Sequence, residues 1–420
     1  MTDPVAYFQS VAAAHRRCFW LDGGGAEEWS GRRSFIGWLD ETDVSLTYEA
    51  HRRQVTRHVG GRAEHVGTDV FEALESELDR GPDDAQWFGY FGYACRPDLP
   101  AHVGTGMPDA VWMRARHVKV FEHLPDPRRT GAGLPAQPAT PPPADYVRAF
   151  DAVQEHLHAG NSYEVNLTYR MQKNSDLDPV SAYLRLRQLN PAPYAGFLQH
   201  DVPGARAWLL SSSPERYARI TPDRVLETKP MKGTTARGHT LEEDEHLRRR
   251  LASEPKYQAE NLMIVDLLRN DLAMVCEPGS VQVPSLMSVE SYAAVHQLVS
   301  TIQGRLRPDV SVVAALRALF PAGSMTGAPK LRTMEIIRRV ETTPRGAYAG
   351  AFGRLTADGR ADLGVTIRSL LTAGDGRYLL GTGGGITVHS DMAEEFAESE
   401  WKASRLSEVF APAAVSARPV

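Results

Sequence analysis

Seven prolines fall in the 22-residue stretch LPDPRRTGAGLPAQPATPPPAD, residues 124–145. Proline has no backbone N–H and fixes φ, so neither a helix nor a central strand runs through such a stretch. The spacing predicts a surface linker over 124–145, with a first region at 1–123 and a second at 146–410. A chain of 420 residues is long enough for two or three domains of ordinary size.

The first region reads as strand-rich. SFIGWL (34–39), VSLTYEA (44–50) and VWMRARHVKVFEH (111–123) are short β-branched and aromatic runs between turns. WFGYFGYAC (87–95) interleaves glycine with aromatic residues, which suits a core strand with close neighbours. The second region mixes elements. YVRAFDAVQEHLHAG (146–160) predicts an amphipathic helix stopped by Gly160. EVNLTYRMQ and AWLLSSS predict strands, and YQAENLMIVDLLRNDLAMV has helical spacing. Pro329 stands near a helix start, and DMAEEFAESEWKASRLSEVF (391–410) predicts a last helix. YLLGTGGGITVH (378–389) reads as a strand, a glycine turn and another strand. No regular strand–helix–strand rhythm appears, so the fold class is α+β.

A formal charge of −5 leaves no basic surplus to neutralise phosphates, which argues against nucleic acid as a partner. No run approaches the ~20 apolar residues of a membrane span, and MTDPVAYFQSVAAAHRR does not resemble a secretory signal. Cys18, Cys95 and Cys276 are odd in number and widely spaced. They suggest reduced thiols in the cytoplasm and no metal-ligand pairing. Only seven of the 47 basic residues are lysine. Where arginine is the default cation, a remaining lysine matters, because lysine can lose its proton and act as a nucleophile.

Several residues could carry chemistry. Glu260 lies in an otherwise apolar helix beside Met263, Ile264 and Leu267, where a carboxylate is costly unless paired or metal-bound. Glu395 and Glu398 share a face of the last helix, and Lys402 follows Glu398 by four. A solvated face with an i,i+4 ion pair explains that helix on its own. The sharper reading joins Glu260 and Glu398 on one Mg²⁺. Gly383, Gly384 and Gly385 let a backbone approach a ligand but lack the spacing of a dinucleotide fingerprint. GSMTGAPK (323–330) lacks the Gly-Lys-Ser/Thr ending of a phosphate loop. LETKPMKGTTARG (226–238) holds Lys229 and Lys232.

Together these segments resemble the chorismate-utilising enzymes. The resemblance runs from about residue 146 to 405 through SSSPER (211–216), KPMKGT (229–234), AENLMIVDLLRNDL (259–272), LVSTIQGRL (298–306), FPAGSMTGAPK (320–330), RGAYAGAFG (345–353), VTIRSL (365–370) and GGGI…EFAES. FWLDGGG, WFGYFGY and MPDAVW look like the N-terminal region of the anthranilate and aminodeoxychorismate synthase subunits. The implied fold is that of anthranilate synthase component I: antiparallel sheets packed as a sandwich with flanking helices. Three positions separate the branches. Lys232 stands where anthranilate synthases usually have alanine. Glu164 replaces the lysine with which isochorismate and salicylate synthases activate water. Gln297 replaces a histidine linked to pyruvate elimination. All three point to the aminodeoxychorismate synthase component I branch, with anthranilate synthase component I as the alternative. The non-enzyme alternative is a regulatory protein that binds chorismate or tryptophan. LDGGG departs from the family's usual tryptophan-pocket pattern.

The resemblance also implies a site. Glu260, Glu395 and Glu398 hold Mg²⁺ against the ring carboxylate of chorismate. Arg368 pairs with the enolpyruvyl carboxylate, and Thr234, Tyr348, Lys402, Gly383 and Gly385 complete the pocket. Glu215, its pKa raised by burial, protonates the leaving hydroxyl. Lys232 attacks C2, and ammonia then adds at C4. Lys232 must be neutral to attack, so desolvation or a cationic neighbour is expected to lower its pKa. Lys229, three residues away on a strand, is expected to face elsewhere. No cysteine sits in a Gly-x-Cys-x-Gly elbow, so ammonia is expected from a separate glutaminase subunit, in a heterodimer.

Overall fold

The computed structural model describes residues 3–23, 32–123, 140–292 and 295–412. Two antiparallel sheets, of nine and twelve strands, form its centre. They pack face to face, as Phe19 of the nine-stranded sheet stacks on Phe88 of the other at 3.8 Å between ring centroids. The strand Arg17–Asp22 shows how the sandwich fills. Phe19 points to the second sheet, while Trp20 points outward and meets Phe8 and Tyr183 of the helices Pro4–Ala14 and Pro179–Leu189. Strand alternation therefore buries apolar side chains on both faces of that sheet.

The composition break at the proline-rich stretch is not a break in the sheets. Residues 124–139 lie outside the described residues. Strands on either side of the stretch pair directly. Arg17–Asp22 pairs with Tyr194–His200, and Gln86–Phe91 pairs with Ala351–Thr356. One large core cluster draws on both regions, from Trp87 and Trp112 to Leu316 and Leu363. The run VWMRARHVKVFEH also divides. Ala110–Ala115 joins the twelve-stranded sheet, and His117–Glu122 joins the nine-stranded one.

The helix Ala144–His158 begins after Pro143 and ends where Gly160 takes φ 71°, a left-handed conformation that glycine adopts without a Cβ clash. The helices Pro255–Ala273 and Met392–Glu408 also form as expected. Asp391 caps the second by accepting from the N–H groups of Ala393 and Glu394. One expectation fails. The triple glycine is not a turn: Arg377–Ile386 is one continuous strand, paired along its length with Glu164–Asn174. Its glycines serve close packing, as the site shows. Among the described residues, no helix is long and apolar enough to cross a membrane.

Candidate active site

The structure brings all eleven sequence-chosen residues to one cleft of about 130 Å³. Seven segments supply them. Glu215 follows the strand Ala207–Ser213, and Lys232 and Thr234 lie on Met231–Ala236. Glu260 comes from Pro255–Ala273. Tyr348 and Arg368 lie in the turns before Ala351–Thr356 and Ser369–Thr372. Gly383 and Gly385 lie on Arg377–Ile386, and Glu395, Glu398 and Lys402 on Met392–Glu408. A second cavity of about 300 Å³, lined in part by Leu21, Asp22, Phe35, Tyr194 and Phe352, contains none of the eleven. Leu21, Asp22 and Gly23 begin the LDGGG segment, whose Gly24 and Gly25 lie outside the described residues.

Lys232 is buried, and its ammonium donates a hydrogen bond to Glu164 Oε1 within an ion pair. The pair rests on the bare α-carbon of Gly385. A Cβ there would stand 2.7 Å from Lys232 Nζ and would collide with Glu164 Oε1. Gly381 makes the same kind of room for the ring of Tyr348. The expected lowering of the Lys232 pKa is overturned. Burial alone would lower it, but the negative charges of Glu164, Glu260 and Glu215 outweigh burial and hold it above the ordinary lysine value. Lys229 takes no part, because it is paired with Glu290 at 2.6 Å and does not line the cleft.

Burial pushes Glu215 up to about 7, against the opposing pull of Ser324, Lys232 and Arg368. Ser324 Oγ donates to Glu215 Oε1 at 2.6 Å. Glu215 is thus a carboxylic acid poised near neutrality, as a general acid should be. Arg368 takes φ 48° and Ala349, next to Tyr348, takes φ 62°. Both are left-handed conformations that cost a non-glycine residue of order 1–3 kcal/mol and tend to gather where function fixes a side chain. Burial lowers the Arg368 pKa. Its guanidinium faces the cleft with no ion pair to a carboxylate of the chain among the described residues, a form suited to an anionic ligand.

The three candidate metal ligands are hard oxygen donors, the type Mg²⁺ selects. Glu260 Oε1 is buried without a hydrogen-bond partner, and burial raises its carboxyl pKa to about 7 against the pull of Lys232 and Lys256. Lysines neutralise the other two. Lys256 pairs with Glu395 at 2.7 Å, and Lys402 pairs with Glu398 at 2.8 Å. The donor set fits a divalent cation, provided Glu395 and Glu398 exchange their lysine contacts for it. Among the described residues, the three donors that already converge are Asp40, Asp43 and His117, outside the cleft. His117 pairs there with Asp40, and Arg116 with Asp43.

The description "chorismate binding enzyme" matches residues 16–408. The chain belongs to the chorismate-binding enzyme family. Among its relatives, an aminodeoxychorismate synthase of Streptomyces pristinaespiralis is 38% identical over 96% of this chain and 63% of that protein. Anthranilate synthase component 1 of Streptomyces coelicolor is 34% identical over 80% of this chain and 76% of that protein. The crystal structure of anthranilate synthase component I from Streptococcus pneumoniae superposes with a TM-score of 0.73 at 25% identity, covering 89% of this chain and 92% of that one. The chain spans between 27% and 63% of the length of the aminodeoxychorismate synthases it matches.

Sequence reasoning missed three features in or beside the cleft of this chorismate-binding enzyme. Lys256 shares Glu395 with the last helix, and its place among only seven lysines was the available signal. Ser324 holds Glu215 from within GSMTGAPK, a segment that the resemblance includes as a motif without a role for its serine. Glu164 was read by what it replaces, and nothing local in GNSYEVNL shows that it contacts Lys232.

Proposed function

We propose that this chain aminates chorismate at C4, as the synthase component of an aminodeoxychorismate synthase. The observation that carries the reading is the placement of a buried lysine, Lys232, in one cleft with a carboxylic acid poised near neutrality, Glu215. Gln297 supports it. This buried side chain occupies the position of the eliminating histidine, lines the cleft and leaves Oε1 without a partner.

Arg368 and Lys402 bind the two carboxylates of chorismate with Thr234 and the Gly383–Gly385 backbone, and Tyr348 packs against the ring. Glu215 gives its proton to the C4 hydroxyl, which leaves as water. The neutral amine of Lys232 attacks C2 as that bond breaks, giving a covalent adduct. Ammonia adds at C4, and the C2–N electron pair returns to Lys232. Glu260, Glu395 and Glu398 are the residues that would hold Mg²⁺. When bound, the ion neutralises the ring carboxylate and fixes its orientation. All three cysteines are buried with thiols pushed up by burial, Cys276 to about 11, so none offers the thiolate that glutamine hydrolysis needs. The proposed source of ammonia is a separate glutaminase subunit. Unpaired thiols fit a reducing cytoplasm.

Incubation with chorismate, Mg²⁺ and ammonium, followed by chromatography, tests the reading. The expected product is 4-amino-4-deoxychorismate. Fluorescent anthranilate in its place would overturn the C4 assignment in favour of anthranilate synthase. Chelator, or Glu260→Ala, is expected to abolish turnover, and normal turnover under either condition refutes the metal assignment.

A further inference from the structure

Lys232 rests as an ammonium and must shed a proton before it can attack. The charged groups that face it are Glu164 from the strand Glu164–Asn174, Glu260 and Lys256 from the helix Pro255–Ala273, Glu215 after Ala207–Ser213, and Glu398 from the last helix. Glu215 is needed in its protonated form. Glu260 and Glu398 face the open cleft as candidate metal ligands, and Glu398 already pairs with Lys402. Glu164 differs from all of them. Its side chain is 1% exposed and, unlike theirs, does not line the cleft; it sits against Gly385 and Lys232, which do. It is the carboxylate that accepts the Nζ hydrogen bond. Its second oxygen, Oε2, is buried with no partner, so an acceptor position stands open beside the ammonium. The absent Cβ of Gly385 is what lets the two side chains meet.

We infer that Glu164 is the group that takes the proton from Lys232 and later returns it. The inference rests on the reading of Lys232 as the nucleophile. The protons balance. Lys232–NH₃⁺ and Glu164–COO⁻ become Lys232–NH₂ and Glu164–COOH. The amine attacks C2, and Glu215–COOH supplies the proton that turns the hydroxyl into water. Ammonia then displaces Lys232 as a neutral amine, leaving the new ammonium group on C4. Glu164–COOH reprotonates Lys232, and Glu215 regains its proton from solvent. Glu164 touches no reacting carbon and acts through Lys232, as a positioning residue with a proton-accepting role.

Glu164→Gln keeps the size and the hydrogen-bond acceptor but cannot take the proton. Adduct formation from chorismate without ammonia, followed by intact-protein mass as a gain of chorismate minus water, should slow about 100-fold. KM for chorismate should stay within about threefold. Below pH 7, where Glu215 keeps its proton, the variant's adduct rate should climb about tenfold per pH unit, because bulk base now removes the proton, while the wild type stays flat. Glu164→Asp should recover at least part of the rate and keep the flat limb. It also carries the test if the Gln variant fails to fold, since a tenfold-per-unit slope in the Asp variant would overturn the role. A Lys232→Ala variant that still forms adduct sinks the nucleophile reading itself. If Lys232→Ala is inactive while Glu164→Gln matches the wild type in rate and pH profile, only the role of Glu164 falls.

Discussion

The lysine–carboxylate pairs Lys330–Asp271 and Lys232–Glu164 do opposite things. Where the helices Pro255–Ala273 and Lys330–Val340 meet, Lys330 donates to Asp271 at 2.6 Å and to the carbonyl of Leu319 at 2.8 Å. Neither side chain leaves a buried atom without a partner, and neither lines the cleft. Burial there outweighs the single carboxylate and lowers the Lys330 pKa. At Lys232 several carboxylates reverse that balance, and the proton is held more tightly. Yet Lys232 lines the cleft, and Glu164 Oε2 is unpartnered. A closed pair fastens two helices together. An open pair holds a charge that can be moved. Burial alone does not separate the two lysines; unused hydrogen-bonding capacity and access to the cleft do, and these are what the proposed reactivity of Lys232 requires.

The sharpest way to break this comparison is to delete each lysine. Lys232→Ala should lose at least about 10³-fold in amination and show no covalent adduct, read by product chromatography and intact mass. Glu215→Gln should follow, with a loss of about 10²–10⁴-fold. Its pH profile is the better diagnostic. The acid form acts and its pKa is raised to about 7, so wild-type kcat/KM should hold below that pH and fall as pH rises through it. The Gln variant should lack that alkaline limb; an unchanged limb would remove Glu215 as the general acid. Lys330→Met should instead appear in stability. It leaves Asp271 buried without its partner, at a cost of about 3–5 kcal/mol in urea denaturation. Amination per folded molecule should stay within about threefold. Loss of adduct in a stable Lys330→Met protein would erase the distinction between the two pairs.

Local patterns carried part of this structure. The runs at SFIGWL and VSLTYEA became strands because β-branched and aromatic residues fit a pleated, buried surface. Gly160 ended its helix through an allowed positive φ. Partnership was not legible in the same way. Cys18 pairs with Gln199 across 181 positions, so a break in composition at 124–145 says nothing about which strands meet. The triple glycine was misread for a related reason. A turn is the local explanation of glycine, whereas the cause here is long-range, namely the Lys232–Glu164 pair and the Tyr348 ring pressed on a strand. Ten of the eleven site residues lie within the quoted motifs, and Lys402 follows the last of them by three positions. The protonation of Lys232 depends instead on carboxylates 17, 28 and 68 positions away, and no motif around it records them.

The smallest expected effect tests the finest part of the comparison. Lys229 stands three positions before Lys232, across Pro230, and is the nearest cation in sequence. If it tuned the nucleophile it would lower the Lys232 pKa, but that pKa is raised, and Lys229 is bound to Glu290 on the neighbouring face. The Glu290 side chain is 27% exposed, so solvent screens the pair. Lys229→Ala should therefore cost about 1 kcal/mol or less in urea denaturation. Its adduct rate should stay within about twofold of the wild type, with the pH profile unmoved. A shift of that profile to higher pH in Lys229→Ala would mean that Lys229 does depress Lys232 in the working enzyme. The open pair would then answer to a cation outside the cleft as well as to the carboxylates within reach of it.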